Sequence, residues 1–273
     1  MSMPRFHAVL TGASGGIGRA IALKLAPLCE TLILVGRDAT KLTALQREFP
    51  QARAVAADLT TAAGREAVRR AAAESPGGID LLVNNAGAGE FAWFLDQSDE
   101  MLERIVQVNV LATLQLTRRL LPLLLAQPAA RIVNVGSIFG HLAYPGYVAY
   151  SATKFALHGF SEALRRELAD TPVQVSWFAP RATRTAMNSA ALCALNEELG
   201  VAMDDPQAVA AAFVALLEHP VRERLLGMPE RLFARLNQLV PGLVDRALRR
   251  QLPAIRRHAR GEPTQPSSQG VHP

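Results

Sequence analysis

Tyr150 and Lys154 stand four residues apart in Tyr150-Ser151-Ala152-Thr153-Lys154, a spacing that puts both side chains on one face of a helix. An ammonium beside a phenol favours phenolate, so the pair predicts a tyrosine pKa drawn down from its reference of about 10, and hence a general acid and base at working pH. An exposed helix pair is the everyday use of the same spacing. Against that use, only Lys24, Lys41 and Lys154 among the 29 cationic residues are lysine, and a compact ammonium is not interchangeable with a guanidinium. Ser137, reached through the apolar run 132–135 and Gly136, offers a hydroxyl for a substrate oxygen at the carboxyl end of an expected strand, or caps a turn there.

A second group of residues points to a nucleotide. Gly12, Gly16 and Gly18 fall in Thr11-Gly12-Ala13-Ser14-Gly15-Gly16-Ile17-Gly18, between an apolar run and a helical pattern. Missing side chains there let backbone amides approach a pyrophosphate at the helix N-terminus, although tight strand-to-helix packing also uses such glycines. An acidic residue at the end of the second strand would hold the adenosine ribose hydroxyls and repel a 2′-phosphate. This sequence has Gly36-Arg37 instead, and Arg37 can pair with that phosphate, so NADP(H) is preferred over NAD(H). Asp38 beside it is either a helix N-cap or a weak NAD-type carboxylate.

These residues need a scaffold. Apolar runs at 6–10, 31–35, 52–57, 79–83, 131–135, 173–178 and 224–226 alternate with helical patterns at 17–28, 39–49, 61–74, 99–126, 151–170 and 206–218. Such alternation requires right-handed crossovers onto a parallel sheet, so the expected fold is α/β, a doubly wound parallel sheet of the Rossmann kind. A polar, mobile stretch is expected after Pro180. The division expected is a catalytic, nucleotide-binding unit over 1–227, an amphipathic basic helical extension over 228–260, broken at Pro241 and Pro253, and a disordered tail over 261–273.

Composition narrows the function classes. No stretch holds the roughly 18 uninterrupted apolar residues of a membrane helix. A strand-like run begins by Phe6, so no signal peptide is expected; Cys29 and Cys193 lack metal or disulfide spacing, the six histidines lack ligand spacing, and a cytoplasmic location without a metal is expected. Net charge is +5, yet residues 221–260 carry ten arginines against three acidic residues, so the main body is not a basic nucleic-acid reader.

The ordered set of motifs resembles the short-chain dehydrogenase/reductase family. Its marks are the Gly12-x-x-x-Gly16-x-Gly18 turn, Asn84-Asn85-Ala86-Gly87 after the fourth strand, Asn109 in the next helix, Ser137, and Tyr150-x-x-x-Lys154, over roughly residues 6–185. The resemblance implies hydride transfer between a nicotinamide cofactor and a carbonyl or secondary alcohol, with Tyr150 as acid and base and Ser137 holding the oxygen. It further implies that Lys154 bonds the nicotinamide ribose and Asn109 holds a proton-relay water. Cofactor contacts are implied for Ser14, Gly15, Ile17, Asp58, Leu59, Asn85, Ala86, Gly87, Pro180, Thr183 and Thr185, besides the residues already named. Helices carrying Asn109 and Tyr150 pair subunits in the family, so a homodimer or homotetramer is implied. Arg181 departs from the family's Pro-Gly after the sixth strand; it reshapes the loop, contacts a phosphate or acidic substrate, or is solvated.

Ala88, Phe91, Trp93, Phe94, Phe139, His141, Tyr144, Tyr147 and Met187 make a prospective apolar lining, so a lipophilic substrate is expected, with His141 either at the substrate or on the surface. In the extension, Leu232, Leu236, Leu239 and Leu243 recur at helical spacing among arginines. That segment docks on the core or a partner subunit, covers the pocket, or makes peripheral contact with an anionic membrane. A catalytically silent NADP(H)-binding sensor or scaffold is the alternative to an enzyme.

Overall fold

The computed structural model describes residues 5–262, so most of the expected 261–273 tail lies outside the described residues. Seven strands form one parallel sheet: β1 (Phe6–Thr11), β2 (Cys29–Gly36), β3 (Ala52–Ala56), β4 (Leu81–Asn84), β5 (Ala130–Val135), β6 (Val173–Ala179) and β7 (Glu223–Leu225), in the order β3-β2-β1-β4-β5-β6-β7. The order reverses direction at β1 and β4, which opens a crevice at their carboxyl ends.

Helices cover both faces. They are α1 (Gly16–Leu25), α2 (Ala39–Arg47), α3 (Ala62–Ala73), α4 (Asp99–Val106) continued by a π-helical turn (Gln107–Leu111) into α5 (Ala112–Leu125), α6 (Val148–Glu167), α7 (Ala190–Glu198), α8 (Pro206–Glu218), α9 (Met228–Leu239) and α10 (Pro241–Arg260). Strand side chains alternate between the two faces. Leu10, Leu32 and Leu34 pack with Ile21 and Leu25 of α1 and Phe213 of α8, while Val9, Ile33 and Ile132 pack with Val68 of α3 and Leu116 and Leu120 of α5. Both faces of the central strands are therefore dry, which is why runs such as Leu32–Val35 and Leu81–Val83 are continuously apolar, whereas the edge strands β3 and β7 carry exposed charged residues. The continuous helix Asp99–Leu125 is long and apolar enough to cross a membrane by length and composition, yet its Leu116, Leu120 and Leu124 are fully buried within the protein.

Three expectations need correction. The stretch after Pro180 contains α7, capped by Ser189 and packed on α10, where weak periodicity suggested only a mobile segment. Pro253 does not break the extension: α10 runs through it with the proline on the exposed side, anchored two residues later by fully buried Ile255. Pro241 starts that helix at the first helical position, where its missing N–H costs nothing. At the other end of the chain, α1 stops at Leu25 and Ala26–Leu28 tightens into a 3₁₀ turn around Pro27.

Candidate active site

The crevice after β1 is built by hydrogen bonds that the glycines make room for. Thr11 Oγ1 donates to the Val83 carbonyl at 3.2 Å and accepts from the Asn85 and Ala86 amides at 2.9 and 3.0 Å. Asn85 returns the contact, its Nδ2 donating to the carbonyls of Thr11 at 2.9 Å and Gly12 at 3.2 Å. Gly12 takes φ +64°, and a Cβ there would lie 2.9 Å from the Ala86 Cα. A Cβ on Gly18 would meet the Gly12 carbonyl oxygen at 2.0 Å, so the turn closes only without side chains. Thr11 was not predicted as a site residue; its signal was a threonine placed directly before the glycine turn.

The crevice encloses about 350 Å³ and is bordered by Ser14, Gly15, Ile17, Arg37, Asp58 and Leu59, among others. Helix α1 has Gly15 as its N-cap, with no side-chain cap and no acidic residue in its first turn, leaving its amides to an anion. Arg37 sits on the crevice wall, whereas Asp38 caps α2, accepting from the Lys41 amide at 3.0 Å with Lys41 Nζ 3.2 Å from its carboxylate. Asp38 is thus engaged as an N-cap. Bonds from the Thr60 amide and hydroxyl, aided by Arg37, hold the Asp58 carboxyl below the usual range despite partial burial. An unpaired helix N-terminus, an arginine and an acceptor carboxylate in one groove suit an adenosine-bearing dinucleotide.

At the far wall, α6 presents Tyr150, partly buried, and Lys154, buried. Lys154 Nζ donates to the Val135 carbonyl at 3.3 Å and lies 5.5 Å from the centre of the Tyr150 ring. Burial pushes the Tyr150 phenol up to about 12, opposed by a hydrogen bond with the Ser137 hydroxyl, and burial brings Lys154 down to about 8. The expected lowering of the tyrosine pKa is therefore reversed: the ammonium is directed at a backbone carbonyl, and dehydration of the phenol outweighs it. Ser137 also takes the turn-capping part foreseen for it, accepting from the Phe139 amide at 3.2 Å.

Asn109 is fully buried in the π-helical turn, a distortion that frequently marks functional positions. Its amide accepts from the Ala88 N–H at 2.7 Å and donates to the Ala88 carbonyl at 2.8 Å and Thr153 Oγ1 at 2.9 Å. Both donors of the amide are used, so Asn109 pins the loop after β4 to the helix that carries Tyr150. Of the residues expected at the cofactor after β6, Thr185 reaches the crevice, where a Cβ on Gly16 would meet its side chain at 2.7 Å, whereas Pro180 and Thr183 border the second cavity described below.

Tyr150 also borders a second cavity of about 360 Å³. Its lining is largely apolar: Phe139, Tyr144, Tyr147 and Met187 face it as expected, and α9 and α10 add Phe233 and Leu248. Other aromatic expectations fail. Phe91 packs with Leu195 and Ile255, and Trp93 lies beneath the guanidinium groups of Arg256 and Arg260. His141 is 5% exposed, neither on the surface nor in the cavity; it meets Glu223 at 2.5 Å, with His158 on the same carboxylate oxygen at 3.2 Å. Burial works to raise the Glu223 carboxyl, but hydrogen bonds from the two histidines prevail and hold it at about 2.

Arg181 is a clamp. Its guanidinium reaches Asp204 at 2.8 Å and Glu230 at 3.1 Å, tying the end of β6 to the segment before α8 and to the first turn of α9. Gly227 just before α9 takes φ +86°, and a Cβ there would lie 2.8 Å from Arg181 Cδ. The arginine thus occupies space that the usual glycine leaves empty and fixes the extension over the cavity.

Known proteins are similar to this chain in sequence and in fold. The family model described as short chain dehydrogenase matches residues 6–194. An uncharacterised oxidoreductase of Staphylococcus epidermidis is 35% identical over 181 residues, 66% of this chain and 79% of that protein. A short chain dehydrogenase/reductase of Burkholderia phymatum, solved in complex with NAD, superposes with TM-score 0.78 at 26% identity, covering 89% of this chain and 96% of that one. A short chain dehydrogenase of Burkholderia cenocepacia, solved in complex with NADP, gives TM-score 0.77 at 26% identity, covering 91% and 99%. With its parallel sheet, glycine turn and paired Tyr150 and Lys154, this chain belongs to the short-chain dehydrogenase/reductase family of oxidoreductases.

Proposed function

We propose that this oxidoreductase exchanges hydride between NADP(H) and a lipophilic carbonyl compound or secondary alcohol. The observation that carries the reading is the position of Tyr150, on the wall shared by the nucleotide crevice and the apolar cavity, next to Ser137 and Lys154. When bound, the nicotinamide cofactor supplies the hydride. Ser137 holds the carbonyl oxygen from the cavity side. Tyr150, a phenol that stays protonated throughout the physiological range, delivers a proton to that oxygen. Lys154 fixes the ribose side of the cofactor and stabilises the phenolate left behind. Asn109 keeps the loop after β4 against α6, which positions Tyr150.

Arg37 on the crevice wall, together with the engagement of Asp38 in capping, supports NADP(H) over NAD(H). A homodimer or homotetramer is the assembly we assign, through helices whose Val106, Val148 and Phe155 remain exposed. Cytoplasmic residence and the 1–227, 228–260 division complete the reading.

The test is a steady-state comparison of NADPH and NADH with a panel of short- and long-chain ketones and aldehydes. NADPH should be favoured, long-chain carbonyls should turn over best, and Arg37→Ala should cut kcat/KM for NADPH roughly 10- to 150-fold, the worth of one charge-assisted bond of about 1.5–3 kcal/mol. NADH should respond little. Cofactor binding without turnover of any carbonyl would instead establish the silent sensor.

A further inference from the structure

Helix α9 is apolar on two opposite sides. Ala234 is buried, Phe233 lines the cavity, and Asn237 Nδ2 donates to the His141 carbonyl at 3.0 Å, which defines the inner side. Met228, Leu232 and Leu239, at i, i+4 and i+11, share the other side, since a helix turns once in about 3.6 residues. They are 73%, 58% and 79% exposed, and Val240 and Leu243 extend the strip around the corner into α10. Leu236, expected in the same stripe, is only partly exposed. Around the strip stand Arg231 and Arg235 on α9 and Arg246, Arg249 and Arg250 on α10, all exposed. Nearby acidic groups are few: Glu230 is held by Arg181, and Asp245 is the acidic residue on the exposed part of α10.

An apolar ridge ringed by guanidinium groups is complementary to an anionic lipid surface, apolar at its acyl boundary and negative at its headgroups. The ridge inserts at the acyl boundary and the arginines meet phosphate headgroups. The same helix lines the cavity: Phe233 is 44% exposed and borders it, as does Met187 at 53%, so the cavity mouth opens beside the ridge. We infer that α9 and the α9–α10 corner form an interfacial docking surface for anionic membranes, set so that a lipophilic substrate passes from the bilayer past Phe233 toward Tyr150. The inference rests on the lipophilic-carbonyl reading for the substrate, but binding itself is measured without turnover.

The experiment is co-sedimentation of the full chain with vesicles of phosphatidylcholine alone or with about one-third phosphatidylglycerol, in low and high salt. Three proteins are compared: wild type, Leu232→Asp/Leu239→Asp, and Arg246→Glu/Arg249→Glu/Arg250→Glu. None of these side chains borders either cavity, so reduction of a water-soluble carbonyl should be unchanged in all three. Wild type should bind the anionic vesicles in a salt-sensitive way and ignore the neutral ones. Each arginine near such a surface contributes roughly fivefold, so the triple variant should bind at least about 100-fold more weakly. The double aspartate variant should also lose binding. Indifference of wild type to anionic vesicles, or equal binding by the variants, overturns the inference. So does a concentration-dependent dimer that the aspartates dissolve while vesicles are ignored, because the ridge then belongs to a second copy. A protein that docks on vesicles yet reduces no carbonyl refutes the enzymatic reading and leaves the docking surface standing.

Discussion

The crevice on one side of Tyr150 and the cavity on the other are close in volume but are built in different ways. The crevice gathers the carboxyl ends of neighbouring strands, each contributing a short local motif such as the glycine turn after β1 or Arg37 after β2, and its centre is locked by Thr11 and Asn85 through bonds to backbone atoms. The cavity is assembled from segments far apart in the chain, the loop after β5, the region between β6 and α8, and helices α9 and α10, tied by side-chain ion pairs such as Arg181 with Glu230. Backbone-built regions tolerate little change and take one kind of ligand. Regions built by side chains are where one family member comes to differ from another, so specificity belongs on the cavity side.

Lys154, on the crevice wall beside Tyr150, gives the largest expected effect. Lys154→Met should lower kcat roughly 100- to 1,000-fold, the scale of removing one preorganised electrostatic stabiliser. Its burial brings its pKa down to about 8, so its charge costs stability in the folded state, and the methionine variant should keep or raise Tm. A variant that loses activity together with Tm would show that the lysine is only structural. Next is the clamp on the cavity side: Arg181→Ala should cost about 2 kcal/mol, lowering Tm by roughly 4–8 °C, because it strips charge-assisted bonds from two carboxylates. It should raise KM for long-chain carbonyls and leave NADPH affinity alone; an equal loss of both would dissolve the distinction between the two halves.

The smallest effect concerns Glu223 between His141 and His158. Its folded pKa of about 2 lies below the ordinary 4.5, so the unfolded chain takes up the proton first. The stabilisation is complete above about pH 4.5 and disappears as pH falls toward 2. With a side chain 35% exposed, solvent screening reduces it to about 1 kcal/mol. Denaturant titrations at pH 5 and pH 3 should show that loss in wild type and a smaller one in Glu223→Gln.

What the sequence made legible follows the same division. Gly12 to Gly18, Asn85 to Gly87, and Tyr150 with Lys154 depend on spacing within a turn or a helix, and local spacing survives in a linear reading. The central strands stand out as apolar runs because both sheet faces are covered there, whereas the edge strand β7, Glu223–Leu225, is marked in sequence only by the leucines beside its two charged residues. Arg181 was noticed as a departure, but its partners Asp204 and Glu230 lie 23 and 49 residues on, and nothing local marks them. Helix α7 escaped notice because its helical signal is weak and contact with α10 holds it. The Tyr150 pKa was misjudged in sign because spacing shows that an ammonium is near but not that the phenol is dehydrated.

The most direct test of Tyr150 as the meeting point of nucleotide and substrate is isotope transfer. NADPH carrying deuterium at the nicotinamide C4 is incubated with a long-chain ketone, and the product alcohol is weighed by mass spectrometry. Wild-type protein should yield alcohol one mass unit heavier at the carbinol carbon, and Tyr150→Phe should yield at least about 100-fold less while binding NADPH as tightly. Alcohol without deuterium, or equal transfer by the phenylalanine variant, would contradict the placement of hydride and proton delivery at this wall.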